Sequence, residues 1–98
     1  IKKEIMQQLS DQEIKRELKG LSGWSFDDDK IRKKYEFKNF KEALAFIVRV
    51  GFEAEGFGHH PNIFNIYNQV NIDLQTHDVG NKVTENDINL AKAIESVL

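Results

Sequence analysis

Three histidines carry most of the chemistry this 98-residue chain can offer near neutral pH. His59 and His60 stand side by side in Gly56-Phe57-Gly58-His59-His60-Pro61, which ends in the only proline, and His77 follows. An imidazole with its ordinary pKa of about 6.5 both gives and takes protons, so three rings brought to one place make an acid–base site. Taken singly, a histidine is more often a surface or hydrogen-bonded residue. The pair beside proline shifts that balance, because proline restricts the loop and lets at least one ring be aimed.

Other chemistries fare worse. Three imidazoles with an open position are a zinc arrangement, but neighbouring residues seldom turn both rings to one point, and no His-Glu-x-x-His helix is present. The chain has no cysteine, which removes disulfides, thiolate nucleophiles and thiolate metal sites and suits the cytoplasm or nucleus. Ser10, Ser22, Ser25 and Ser96 lie in no Gly-x-Ser-x-Gly setting, and Gly51, Gly56 and Gly58 do not form a phosphate loop. The basic run Lys30-Ile31-Arg32-Lys33-Lys34 follows Asp27-Asp28-Asp29 in a chain of net charge −2, so it reads as turn and strand charge rather than a nucleic-acid patch.

The elements that must position the histidines are legible in outline. Ser10-Asp11-Gln12-Glu13 has the form of a capping box, and Gly20 offers a stop, so a first helix is expected over 11–19. Leu21 to Phe37 reads as a hairpin around a polar Asp-Asp-Asp-Lys turn, with Ile31, Lys33, Tyr35 and Phe37 on one side. A second helix, capped by Asn39, is expected over about 40–56. Its core face is read as Phe40, Ala43, Leu44, Ile47, Val48 and Gly51, and Gly56, Gly58 and Pro61 end it. The histidine pair then falls in the exit loop.

Two more strands follow, Ile63–Tyr67 and Val70–His77. In the second, Val70, Ile72 and Leu74 face the helices, while Asn71, Asp73, Gln75 and His77 form a polar row opposite. Thr84 with Asp87 resembles another capping box, opening a last helix that runs to Leu98. Its apolar residues, from Ile88 to Leu98, span about 200°, wider than a surface helix needs, which suggests contact with another subunit.

The order α-β-β-α-β-β-α predicts an α+β two-layer sandwich, a four-stranded antiparallel sheet with helices packed on one face. Length and composition predict one domain over 1–98 with a modest core. No apolar run nears the roughly 18 residues of a membrane span. The first dozen residues, IKKEIMQQLSDQ, lack a signal-peptide core, although the chain starts at Ile.

Glu55-x-x-x-His59-His60-Pro61, then Tyr67, His77 and Asp87 at fixed separations, resembles the signature of the pterin-4a-carbinolamine dehydratases. Gly23-Trp24, the Phe37 and Phe40 pair and Asn86-Asp87-Ile88-Asn89-Leu90-Ala91 extend the likeness over nearly the whole chain. The resemblance implies a hydro-lyase that dehydrates 4a-hydroxytetrahydrobiopterin to the quinonoid dihydrobiopterin in cofactor recycling, with neither metal nor cofactor. It implies homodimers or homotetramers, and a pterin pocket lined by His59, His60 and His77 with Glu55, Trp24, Thr76 and Gln75 binding substrate. His60 and His77 are expected to act as the acid–base pair, with His59 orienting.

Glu55 either hydrogen-bonds an imidazole or is a solvated helix-face carboxylate, and Trp24 either stacks on the pterin or packs the core. Tyr67 and Asp87 are expected to be structural, as a sheet aromatic and a capping acid. Gly58 and Gln75 depart from some relatives and bear on substrate affinity. The resemblance also implies a second role: some animal members bind a homeodomain transcription activator and stabilise its dimer. No direct contact with nucleic acid or membrane is expected.

Overall fold

The computed structural model describes residues 7–98. The lack of a signal-peptide core, read over the first dozen residues, falls partly on residues 1–6, outside the described residues. Three helices, α1 (Asp11–Leu18), α2 (Phe40–Phe57) and α3 (Glu85–Ser96), accompany four strands, β1 (Ser25–Asp27), β2 (Lys30–Glu36), β3 (Asn62–Ile66) and β4 (Gln69–Leu74), in the order α1-β1-β2-α2-β3-β4-α3. The strands form one antiparallel sheet, β1-β2-β4-β3, so the two hairpins meet along β2 and β4. The predicted order and two-layer packing are both observed. No helix among the described residues is long and apolar enough to cross a membrane.

Local chemistry sets the boundaries. Ser10 accepts from the Glu13 amide while Glu13 accepts from the Ser10 amide, closing the expected capping box. Asp28 and Asp29 both take left-handed φ values of 53° and 59°, which fits the two-residue loop whose twist matches paired strands. Gly58 ends α2 at φ 61°, and the His59 amide bonds back to the Ala54 carbonyl at 3.1 Å. That turn fixes where the histidine pair leaves the helix.

The core lies between the sheet and all three helices. Ile31 and Tyr35 of β2 and Val70, Ile72 and Leu74 of β4 meet Ile14 of α1, Phe46 and Val50 of α2 and Ile88, Leu90 and Ile94 of α3. Burial of such side chains contributes roughly 1.5–3 kcal/mol each before conformational entropy is set against it.

Several sequence-based expectations change. The buried face of α2 is Ala43, Phe46, Val50 and Ala54, whereas Phe40, Leu44 and Val48, expected inside, are 46%, 46% and 51% exposed. The helix is apolar around most of its circumference, so the 3.6-residue period admits two faces. Phe46, wedged 4.7 Å from the Tyr35 ring and 4.9 Å from Phe37, selects one.

The wide apolar face of α3 is used within the fold: Ile88, Leu90, Ala91 and Ile94 are fully buried. The surplus apolar surface therefore lies on α2 rather than α3. Tyr67, expected as a sheet aromatic, is an exposed residue of the β3–β4 turn with φ 50°. His77 does not end the polar row of β4. The strand stops at Leu74, and His77 opens a single turn of 3-10 helix, His77–Val79.

Candidate active site

The exit of α2 and the exit of β4 converge, and both carry histidines. A cleft of about 300 Å³ is lined by Gly58, His59, His60, Gln75, Thr76 and His77, with Asp78 and Asn86 at its rim. A smaller cleft of about 180 Å³ adjoins it, and His60, Gln75 and His77 line both. The three histidines singled out in the sequence thus share one depression, although 16 intervening residues separate His60 from His77.

Each ring is held differently. His59 is only 10% exposed, and its Nε2 lies 2.5 Å from Oδ1 of Asp87. Asp87 is completely buried. Its Oδ2 accepts from the Thr76 hydroxyl at 2.8 Å and from the Thr84 amide at 2.9 Å. Because the Thr76 proton is committed to Asp87, the Thr84 hydroxyl must donate in the 2.6 Å contact between the two threonines. A carboxylate has no proton to give, so Nε2 of His59 is the donor in this bond, and in the neutral tautomer that the bond selects the lone pair lies on Nδ1.

His60 is 68% exposed and places Nε2 2.9 Å from Oε1 of Glu55, one turn back on α2. This is the hydrogen-bonded alternative for Glu55, although the carboxylate is also solvated at 80% exposure. Such a pair orients the ring more than it stabilises the fold. His77 is the freest: its side chain is 91% exposed, and Nδ1 lies 3.7 Å from Asp78. Among the described residues no three His, Cys, Asp or Glu side chains converge as a metal-binding set.

The remaining sequence-predicted site residues divide. Gln75 lies between the two clefts, and its amide N–H groups donate to the carbonyls of Asp29 and Asn81, each at 3.2 Å. Its Oε1 is thereby left as the outward acceptor. Thr76 reaches the cleft wall, but its hydroxyl supports Asp87.

Trp24 does not join the histidines. It is 6% exposed, meets Tyr35 edge-on and donates its indole N–H to Glu95 at 3.2 Å. Glu95 lies eight residues beyond Asp87 on α3, about 12 Å further along the axis at 1.5 Å per residue. The core alternative for Trp24 is the one observed. Asp87 was expected only to cap α3, and its contact with His59 was missed. The cap motif was visible in the sequence, but nothing in it indicated which donor the second carboxylate oxygen would meet.

A larger hollow, about 500 Å³, lies on the open face of the sheet and includes Arg32, Lys34, Phe64 and Asp73. Its charges are mostly satisfied in pairs. Arg32 bridges Asp73 and Asp27, and the first of these holds its guanidinium pKa above the ordinary value. The neighbouring Lys33 turns to the opposite face and pairs with Glu95. The basic run is therefore divided between two faces of β2, with Lys30, Arg32 and Lys33 each paired to a carboxylate.

Comparison with known proteins adds an independent line. The family model described as pterin 4 alpha carbinolamine dehydratase matches residues 7–97. A protein of Christiangramia forsetii, provisionally named pterin-4-alpha-carbinolamine dehydratase, is 44% identical over 94 residues, covering 96% of each chain. One of Opitutus terrae with the same provisional name is 43% identical over 89 residues, covering 91% of this chain and 92% of that one. The crystal structure of a transcriptional coactivator/pterin dehydratase from Brucella melitensis superposes with a TM-score of 0.88 at 35% identity, over 93% of this chain and 98% of that one.

Proposed function

Since the chain belongs to the pterin 4 alpha carbinolamine dehydratase family, we propose that it removes water from a 4a-hydroxytetrahydropterin through proton transfers made by its clustered histidines. The C4a–O bond breaks as the leaving hydroxyl takes a proton and departs as water. The N5 lone pair forms the C4a=N5 bond, N5 gives up its proton to a base, and the quinonoid dihydropterin results. One imidazolium and one neutral imidazole suffice, and the reaction returns the proton it consumes.

The observation that carries this reading is the convergence of His59, His60 and His77 on one cleft from two separate chain segments. His60 and His77, the more exposed rings on its two sides, act as the exchanging pair. His59, tied to a buried carboxylate, orients the substrate. The natural substrate is 4a-hydroxytetrahydrobiopterin, which is dehydrated during tetrahydrobiopterin recycling in the cytoplasm or nucleus.

The test is dehydration of enzymatically generated 4a-hydroxytetrahydrobiopterin, followed by ultraviolet absorbance in metal-free buffer. Wild type accelerates the reaction, and His60→Ala and His77→Ala each lose about a hundredfold or more, as expected of a general acid or base. Turnover within twofold of wild type in both variants would remove the assignment.

A second reading, protein binding, has its own support. Phe40, Leu44, Val48 and Phe52 recur every four residues along α2, and the last is 75% exposed. A contiguous apolar stripe of this kind marks an interaction surface. It suits assembly into a homodimer or homotetramer, and the double name of the Brucella melitensis protein suggests that a transcription-factor partner could use the same surface.

A further inference from the structure

We infer that Asp29, in the turn between β1 and β2, is a positioning residue for His77: its ion pair with Lys82 fixes the loop that carries the histidine. The inference rests on the dehydratase reading, and it concerns the backbone of His77, whose ring stays free. From His77 to Lys82 no side chain is buried, so packing does little to place this loop. Its own hydrogen bonds close it into a ring. The Thr76 amide donates to the Lys82 carbonyl at 2.7 Å, and the Asn81 and Lys82 amides donate to the Thr76 carbonyl at 3.1 and 3.3 Å. A loop closed on itself keeps its shape but can tilt as a unit.

Asp29 opposes that tilt. β2 and β4 pair as far as Ile31 and Leu74, and the same antiparallel register carried two residues further sets Asp29 beside Thr76. Nζ of Lys82 lies 2.8 Å from Oδ2 of Asp29, and the Gln75 amide donates to the carbonyls of Asp29 and Asn81 at 3.2 Å each. A second observation points to the same carboxylate. Asp29 has φ 59° and holds the second left-handed position of a two-residue hairpin loop, where glycine is the favoured residue. A side chain stands there at a conformational cost, and it is the one that meets Lys82.

Neither Asp29 nor Lys82 lines the histidine cleft, so substituting them alters loop placement without removing a substrate contact. The side chains are 52% and 35% exposed, so the pair adds little to global stability. Misplacing a reacting group by about 1 Å costs on the order of a hundredfold in rate, and partial loosening of the loop is expected to cost about tenfold.

The experiment measures kcat, KM and melting temperature for wild type, Lys82→Met, Asp29→Asn, the double variant and Lys82→Arg, with nitrogen-15 relaxation of the amides of residues 77–82. Asparagine tolerates the left-handed conformation, so Asp29→Asn removes the charge without straining the turn. Each single variant lowers kcat about tenfold and lets the loop amides move more, while KM and the melting temperature hold. The double variant is no worse than either single one, and Lys82→Arg stays within twofold of wild type. Single variants with kcat within twofold of wild type, a double variant that multiplies the two losses, or a loss of kcat matched by a loss of melting temperature each overturn the positioning role and leave the dehydratase reading intact. Failure of wild type to accelerate dehydration overturns the dehydratase reading, and the role of Asp29 with it.

Discussion

Replacing Asp87 by asparagine separates the two tasks that its carboxylate performs. Oδ2 meets two donors, the Thr76 hydroxyl and the Thr84 amide, while Oδ1 meets Nε2–H of His59. Asparagine has one oxygen, and the side with two donors claims it. The new NH2 group then faces Nε2 of His59, where two N–H groups cannot oppose each other. The imidazole must give up its Nε2 proton and carry Nδ1–H instead.

The fold survives at a cost. The helix cap persists as neutral bonds, but α3 loses one of the two negative charges in its first turn, and hydrogen bonds to a charged acceptor become ordinary ones. Together these destabilise by about 2 kcal/mol, which lowers Tm by about 8–16 °C in a domain of this size. Nitrogen-15 chemical shifts of the ring report the tautomer, thermal melts the stability, and the dehydration assay the turnover. The expected result is an inverted His59 tautomer, with turnover reduced about hundredfold in protein that is still folded, because the ring then presents a donor where the wild type presents a lone pair. Retention of Nε2–H with turnover within twofold of wild type would refute the reasoning.

Glu95 contributes to the acid limit of stability. Burial raises its pKa, but hydrogen bonds from Lys33, Tyr35 and Trp24 outweigh that and hold it below the ordinary carboxylate value. Its contribution is therefore complete above about 4.3 and lost as pH falls through the lower folded-state value. Urea titrations should show wild type losing stability more steeply than Glu95→Gln as pH drops below about 4, and parallel pH curves would remove the claim. On α2, Val48→Glu should reduce the mass found by light scattering while the melting temperature holds. Leu90→Glu, at a completely buried position, should unfold the domain instead. An unchanged mass for Val48→Glu excludes the exposed stripe as the self-assembly surface.

The elements were legible because their signals are local. Capping boxes at Ser10 and Thr84, the aspartate turn and the glycine at the end of α2 each act within a few residues. The two faces of α2 were not distinguishable, since choosing between Phe46 and Leu44 depends on where β2 places Tyr35 and Phe37. The three histidines of the candidate site were legible as residue types with suitable chemistry. Their separate roles were not, because Glu55 reaches His60 locally, across the end of α2, whereas Asp87 reaches His59 only through the packing of α3 against α2. Trp24 illustrates the opposite limit: an aromatic near a signature is as compatible with a core as with a ligand, and its indole N–H finds Glu95.

The coupling through Asp87 explains how a domain this small can hold one imidazole in a defined state while leaving two others in water. Rigid placement of His59 needs a buried acceptor, and a buried carboxylate is tolerated only when its oxygens are satisfied. Thr84 meets that need through the start of α3, and Thr76 through the end of β4. The same bonds that terminate these two elements therefore set the tautomer of His59. His60 and His77 lack such support and stay exposed, which suits the proposed exchange of protons with a bound carbinolamine. Anchoring all three rings would oppose that exchange, and freeing all three would leave the substrate unaligned. The division between one held ring and two solvated ones follows from where α2 and β4 end.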